Sequence, residues 1–236
     1  MACKVLNSGL LHWVILAQLA AISLQVSAAE VKGTVTITYQ GMFAADTNAR
    51  PQPVSVALLP AQGQHVVPRR SRQHRIKIVG NRMSPAFFTV KKGDTLRFVN
   101  HDGVYHEIFY LTSGKPWSVR LDRAGSSQAT SPALALDTPG TTHFFCRIHN
   151  KSYARVDVVD TSYLETMESG RSFHFVGLAK GRWKLRLAAP AAETRWVEVS
   201  AMTSPPPLAL QLVSRGGGQG HGQLNAQAGV EQLYRD

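Results

Sequence analysis

Apolar and polar residues alternate along many short segments of this chain, most clearly near its start. Val31-Lys-Gly-Thr-Val-Thr-Ile-Thr-Tyr39 is rich in β-branched residues, and such alternation predicts a strand with one buried face. No segment shows a sustained 3.6-residue repeat, so we expect an all-β fold built of sandwiches. The expected strands are 31–39, 54–59, 75–79, 87–90, 95–99, 106–111, 132–136, 141–146, 154–159, 172–176, 183–187, 195–200 and 205–212. The segment 112–131 is expected to be mainly loop.

The two ends of the chain differ from this pattern. Residues 1–28 combine Lys4, an apolar run and small residues before Ala28, which is typical of a secretory signal cleaved near Ala28. The run is shorter than the roughly 20 residues of a membrane span, so we expect a periplasmic or secreted protein with no stable membrane insertion. Residues 215–236 are rich in Gly and Gln, and we expect a disordered tail. The roughly 180 residues between these two ends are too many for one small sandwich, so we expect two β modules.

Cysteine usage indicates the chemistry of the exported chain. Cys3 lies in the predicted signal, so Cys146 has no partner for an internal disulfide. A lone exported thiol is either a buried apolar side chain or a metal ligand, and His149 three residues later favours the ligand. A thiolate and two imidazoles form the ligand set of trigonal copper sites. His106, at the start of another expected strand, supplies the second imidazole, so we predict copper bound by His106, Cys146 and His149.

Strand alternation separates these ligands from their neighbours. Glu107 lies on the opposite strand face from His106, and His143 on the opposite face from Cys146, so neither is expected to bind the metal. Asn100 is expected to tie the two ligand loops together and to orient the thiolate. The remaining histidines of the exported chain are expected to be surface or core residues: His65, His74, His101, His174 and His221.

Three motifs within residues 75–160 resemble the cupredoxin family of blue copper proteins, which includes plastocyanin and amicyanin. They are Val90-x-x-Gly-Asp-Thr-Leu-Arg-Phe98, Asn100-x-Asp-x-x-x-His106 and Phe145-Cys-x-x-His149, and the likeness is greatest to exported proteins often labelled methylamine utilisation proteins. The resemblance implies a Greek-key sandwich with copper at one end, held at His106, Cys146 and His149. It also implies one-electron transfer, with His149 as the electron exit. A copper enzyme would need an open coordination position with acid/base groups around it, and the sequence shows only the possible opening, so we expect no catalysis.

The chain departs from the family at the axial ligand. Family members carry a Met at the position of Ser152 or of Ala154. Three outcomes stay open: a three-coordinate copper, an axial water or Ser152 oxygen, or a degraded site that binds copper poorly. Accordingly, the alternatives to electron transfer are a copper carrier or buffer and a β-sandwich binding module with a vestigial site.

The segments 30–62 and 163–214 resemble a second family. Gly33-Thr-Val and Pro53 to Leu59, with the later segment Gly170 to Leu185, are similar to carboxypeptidase-regulatory-like, transthyretin-like sandwiches, which are sometimes described as carbohydrate-binding-like. If both segments belong to one module, the cupredoxin at 75–160 is inserted within it. The alternative is two consecutive domains, with residues 30–60 as extra strands on the cupredoxin. For Trp183 and Trp196, core packing is favoured over stacking on a sugar.

The chain is strongly basic, with a formal net charge of +11. Such a charge favours acidic partners through long-range steering, here an acidic redox partner such as a cytochrome. The basic residues are not interleaved with aromatic ones, which argues against nucleic acid. The sequence does not indicate the oligomeric state. The densest basic cluster consists of Arg69, Arg70, Arg72, Arg75 and Lys77. This cluster could equally be a solvated loop that binds no partner.

Overall fold

The structure is a computed structural model that describes residues 28–41, 50, 52–61, 66–110, 117–190 and 192–214. In these ranges the chain forms sixteen strands and no helix, which confirms the predicted all-β class; they therefore hold no helix that could cross a membrane. The strands are β1 Ala29–Tyr39, β2 Pro53–Pro60, β3 Gln73–Val79, β4 Arg82–Ser84, β5 Phe87–Lys91, β6 Asp94–Asn100, β7 His106–Tyr110, β8 Trp117–Leu121, β9 Leu134–Leu136, β10 Gly140–Cys146, β11 Tyr153–Val159, β12 Leu164–Glu168, β13 Ser172–Leu178, β14 Gly181–Ala188, β15 Arg195–Ala201 and β16 Leu208–Ser214. The predicted signal up to residue 27, the predicted tail, His65 and His221 lie outside the described residues.

Residues 73–159 form a two-sheet unit, here called the inner sandwich. One sheet has the order β5-β11-β10-β7-β8, and the other has the order β4-β3-β6-β9. The alternating apolar residues of both sheets form one core, which includes Phe98, Ile108 and Phe144. Within 112–131, which was expected to be mainly loop, the structure adds strand β8, where Trp117, Val119 and Leu121 alternate with polar residues and pair with β7.

The remaining strands form a second two-sheet unit, here called the flanking sandwich (residues 29–60 and 164–214). Its sheets have the orders β13-β1-β16 and β12-β2-β14-β15, and they share a separate core. Strand β1 pairs antiparallel with β13 and parallel with β16, while β2 pairs with β12 and β14. The ladders of β1 and β2 thus lie in the flanking sandwich, and the inner sandwich is nested between its two segments.

Gly33 allows β1 and β16 to approach closely. A Cβ atom on Gly33 would lie 2.4 Å from the carbonyl oxygen of Leu208, which is far inside van der Waals contact. Only glycine avoids this clash, so the predicted strand tolerates its otherwise unfavourable glycine at this point.

Polar contacts join the two sandwiches. The Ser55 hydroxyl donates to Thr89 Oγ1 at 2.6 Å. Asp157 of β11, fully buried, accepts from Arg155 at 2.9 Å and from Arg186 of β14 at 2.7 Å. Burial alone would raise the pKa of Asp157, but the two arginines hold it below the ordinary value. The carboxylate therefore stays charged and connects the sandwiches.

Part of the basic cluster has a structural role. The buried carboxylate of Asp94 accepts two hydrogen bonds from Arg69, at 3.0 and 2.7 Å, and one from the Arg72 amide at 2.9 Å. His74 Nε2 lies 2.9 Å from the same carboxylate. Burial opposes ionisation of Asp94, but these bonds lower its pKa to about 2. Arg69 is therefore committed to the fold rather than to an external partner.

Candidate metal centre

The three predicted ligands meet at one end of the inner sandwich. His106 begins β7 and Cys146 ends β10, and these neighbouring antiparallel strands pair Cys146 with Ile108. His149 follows on a tight turn that the Cys146 amide closes by donating to Ser152 O at 3.2 Å. The Ser152 amide donates to His149 O at 3.0 Å in the same turn. Two strand ends and one closed turn thus position the three side chains.

The donor atoms lie at distances suited to a single metal ion. Sγ of Cys146 is 3.7 Å from Nδ1 of His106 and 3.7 Å from Nδ1 of His149, and the two nitrogens are 3.1 Å apart. The point equidistant from three such atoms lies about 2.0 Å from each, which is close to the lengths of metal–imidazole and metal–thiolate bonds. Among the described His, Cys, Asp and Glu residues, only these three cluster so closely. The residues therefore fit a metal ion.

Burial and hydrogen bonding favour the neutral form of His106 that binds metals. The His106 side chain is fully buried, and burial lowers its pKa. Its Nε2 lies 3.0 Å from Oδ2 of Asp102, so a proton on Nε2 is held by the carboxylate. Nδ1 is then left unprotonated and faces Cys146. A carboxylate that fixes the tautomer of a metal-binding histidine is a recurrent feature of metal sites.

Asp102 is the functional residue that the sequence reasoning missed. Its carboxylate also accepts from the Gly80 amide at 2.7 Å and from the Asn81 amide at 2.9 Å. Burial opposes ionisation, but these bonds and the His106 contact hold the pKa of Asp102 below its ordinary value. The signal was present in the Asp-x-x-x-His spacing of the second motif, where only Asn100 and His106 had been given roles.

Asn100 differs from its predicted role. Its Nδ2 donates to the carbonyl oxygens of Val104 and Asp122, both at 2.7 Å, and its Oδ1 accepts from the Asp102 amide at 2.8 Å. Asn100 does tie loops together, but it joins the His106 loop to the Asp122 segment. Among the described residues, none of its hydrogen bonds reaches the loop of Cys146. It therefore supports Asp102 and His106 rather than orienting the thiolate directly.

Ser152, at the predicted axial position, is buried in the ligand loop. It is 1% exposed, and its Oγ has no hydrogen-bond partner among the described residues. A buried hydroxyl without a partner is energetically unfavourable. The position where the sequence motif expects a Met thioether thus holds a buried hydroxyl without a partner among the described residues.

The residues predicted not to bind the metal have other partners. Glu107 pairs with Arg147 at 2.8 Å, and His143 Nδ1 lies 2.9 Å from the Tyr153 hydroxyl. His174 lies 2.7 Å from Glu30.

The two tryptophans weighed as sugar-stacking residues differ in exposure. Trp183 is fully buried in the flanking core, as predicted. The prediction of core packing is wrong for Trp196, because its side chain is 53% exposed on the edge strand β15.

Exposed apolar side chains adjoin the ligands in sequence. Val104, Tyr105 and Ile148 are each 45–46% exposed. Guanidinium groups lie beside this surface: Arg120 is 4.4 Å from the centre of the Tyr105 ring, and Arg147 is 5.0 Å from that of Phe109. The ligand end thus presents apolar contact area next to two guanidinium groups, each of which has a carboxylate nearby: Glu107 at 2.8 Å from Arg147 and Asp122 at 3.8 Å from Arg120.

Comparison with known proteins finds no matching family model and no matching curated protein. Among solved structures, a purple cupredoxin from Nitrosopumilus maritimus is 20% identical and covers 36% of this chain and 98% of its own, with a TM-score of 0.30. Amicyanin from Paracoccus versutus is 15% identical over 43% of this chain and 97% of its own, with a TM-score of 0.33. A copper-containing nitrite reductase from Thermus scotoductus is 17% identical over 52% of this chain and 28% of its own, with a TM-score of 0.32.

Likenesses this distant carry no argument about function. None of these comparisons supports the carboxypeptidase-regulatory-like resemblance of the flanking sandwich, which stays a prediction.

Proposed function

We propose that this protein binds one copper ion through Nδ1 of His106, Sγ of Cys146 and Nδ1 of His149 and transfers single electrons. The observation that carries the proposal is the triangle of donor atoms, with sides of 3.1, 3.7 and 3.7 Å. One thiolate and two imidazoles suit both copper oxidation states, and the bound ion supplies the one-electron redox change. The chain supplies ligands that are already in place.

The surroundings of the ligands support rapid electron transfer. His106 and Cys146 are buried on paired strands, so little movement accompanies a change in charge at the centre. Asp102 keeps the proton of His106 on Nε2. His149 is less buried than the other two ligands and is the proposed exit for the electron.

Ser152 sets this centre apart from sites with an axial Met. We propose that its buried hydroxyl, or no protein atom at all, takes the place of the thioether. The axial ligand tunes the reduction potential of such centres. A hard oxygen favours Cu(II) over Cu(I), so we expect a lower potential than in a Met-containing variant of this protein.

The proposed partner is an acidic redox protein, such as a cytochrome, that meets the exported protein outside the cytoplasm. The support is the net charge of +11 and the exposed apolar residues near His149, flanked by Arg120 and Arg147. Opposite charge speeds the encounter of such partners and makes it sensitive to salt.

Adding one equivalent of Cu(II) and recording visible absorption and electron paramagnetic resonance spectra tests the proposal. We expect an intense thiolate-to-copper band that is absent in Cys146→Ala and has altered hyperfine splitting in Ser152→Met. No band, with the Cys146 thiol still free, would refute the copper proposal. A bound copper with slow electron self-exchange and rapid release to chelators would instead indicate a carrier.

A further inference from the structure

A cavity of about 580 Å³ lies on the outer face of the five-stranded sheet, opposite the core of the inner sandwich. Its floor is formed by β5, β10 and β11, and Pro53 and Pro190 of the flanking sandwich close one side. This volume is within the range of small-molecule sites, which form preferentially where two structural units meet. The concave surface lies mostly on the inner sandwich, including residues 82–86 around β4, and the flanking sandwich completes one side of it.

One part of the cavity wall is apolar and rigid. Val79 lines it and is 55% exposed, and Pro85, which also lines it, is exposed as well. The ring of Phe87, in contrast, is buried under the guanidinium of Arg155. Pro53 and Pro190 face the cavity from the other sandwich, and their backbones have restricted φ angles. A preformed apolar wall of this kind lowers the entropic cost of binding a flat apolar group.

The charge in the cavity is positive. Arg82 and Lys151 line it and are exposed, and their side chains form no hydrogen bond or ion pair with any described residue. Arg155 also lines it, but it is paired with the buried Asp157 through two bonds of 2.9 Å. None of the described residues that line the cavity is acidic. Two cations without partners next to an apolar wall favour an anion that carries an apolar body.

His143 and Tyr153 add neutral polar groups to the wall. His143 Nδ1 lies 2.9 Å from the Tyr153 hydroxyl. Burial and then the charge of Arg155 lower the pKa of His143, and burial raises the pKa of Tyr153 to about 12. Both groups are therefore neutral near pH 7 and add no negative charge that would repel an anion.

We propose that this cavity binds a small carboxylate with a flat apolar body, held by Arg82 and Lys151 at the carboxylate and by Val79, Pro85 and Pro190 at the body. The site does not share a side chain with the metal centre, so it does not depend on the copper proposal. Lys151 does lie in the loop that carries His149, so an occupied cavity also contacts the ligand loop.

Calorimetric titration of the purified protein with 2-naphthoate, 2-naphthamide and inorganic phosphate tests the assignment. The two naphthalene compounds have nearly the same shape and differ in charge. We expect 2-naphthoate to bind with a one-to-one stoichiometry, and the amide and phosphate each to bind at least about tenfold more weakly, since each lacks one of the two recognised features.

Variants locate the binding. The double variant Arg82→Gln/Lys151→Gln is expected to weaken 2-naphthoate at least about tenfold, whereas Lys180→Gln, an exposed lysine on the flanking sandwich, leaves binding unchanged. Ala86→Trp fills the cavity from an exposed position and is expected to abolish binding without changing thermal unfolding. The proposal is overturned if 2-naphthoate does not bind, if the double variant binds it as tightly as the unmodified protein, or if phosphate binds equally well.

Discussion

Asp102 offers a direct test of how the chain prepares His106 for a metal. Oδ2 of Asp102 lies 3.0 Å from Nε2 of His106 and also accepts from the Asn81 amide at 2.9 Å. Asp102→Ala removes this acceptor, and the buried Nε2–H of His106 then has no partner. Asp102→Asn can retain an amide oxygen in the place of Oδ2, the atom that faces His106 and Asn81, while its amide nitrogen replaces the oxygen that accepts from Gly80. The two variants therefore separate the hydrogen bond from the charge.

The size of the effect follows from the lost hydrogen bond. A buried donor without an acceptor costs about 1–3 kcal/mol, and His106 can avoid that cost by moving its proton to Nδ1, the atom that faces Cys146. Either outcome penalises the metal-bound form, so we expect Asp102→Ala to weaken copper affinity by about 10- to 100-fold. The copper affinity of Asp102→Asn should remain within about threefold of that of the unmodified protein, a difference well under 1.4 kcal/mol, because this variant keeps an acceptor for the Nε2 proton of His106.

Competition with a chelator of known Cu(I) affinity, without oxygen, measures this difference. Asp122→Ala is the control, since it removes a nearby carboxylate that lies 3.8 Å from Arg120 and, among the described residues, forms no hydrogen bond or ion pair with His106. Unfolding of the copper-free variants in urea separates metal binding from stability. The reasoning fails if Asp102→Ala binds copper as Asp122→Ala does, or if Asp102→Asn is as weak as Asp102→Ala.

Two further predictions concern stability. The pKa of Asp94 is about 2 in the folded state against 3.8 ordinarily, so its ionised form adds about 2 kcal/mol to the free energy of unfolding above pH 4, and this is lost as the pH falls from 3.8 towards 2. In urea unfolding, Asp94→Asn should lose this contribution. Asp160→Asn, at a residue that is 63% exposed, should not change the free energy of unfolding. Gly33→Ala places Cβ 2.4 Å from Leu208 O and should lower the free energy of unfolding by about 1–3 kcal/mol, whereas Gly103→Ala, with open space around it, should not. Equal stability within either pair would contradict the corresponding argument.

The metal ligands could be predicted because their placement depends on local geometry. Alternation puts His106 and Cys146 on the core-facing sides of their strands, and the Cys-x-x-His spacing places His149 on the turn that follows. The contact between Asp102 and His106 depends instead on how residues 101–105 turn, and no short-range period encodes that path. The hydroxyl of Ser152 was located by its position in the motif, whereas its lack of a partner is a property of the folded core.

The strands that the sequence did not predict are edge strands. Strands β4 (Arg82–Ser84) and β8 (Trp117–Leu121) each lie at an edge of an inner sheet, and β12 (Leu164–Glu168) lies at one edge of a flanking sheet. An edge strand has one neighbour and is more exposed, so its apolar pattern is weak. The parallel pairing of β1 with β16 joins residues about 175 positions apart, and it results from tertiary packing that local propensity does not determine.

The nested order of the strands also fixes the sequence in which the fold can be completed. Strands β1 and β2 are made first, yet their ladder partners follow only after residue 163. All pairings of the inner sandwich lie within residues 73–159, so that unit can close while the rest of the chain is still being synthesised. Its closure brings the flanking segments together, where the Leu58 amide donates to Tyr163 O at 2.8 Å, and so reduces the entropy lost in joining them. The three metal ligands thus depend on pairings that are complete by residue 159, without the strands that finish the flanking sandwich.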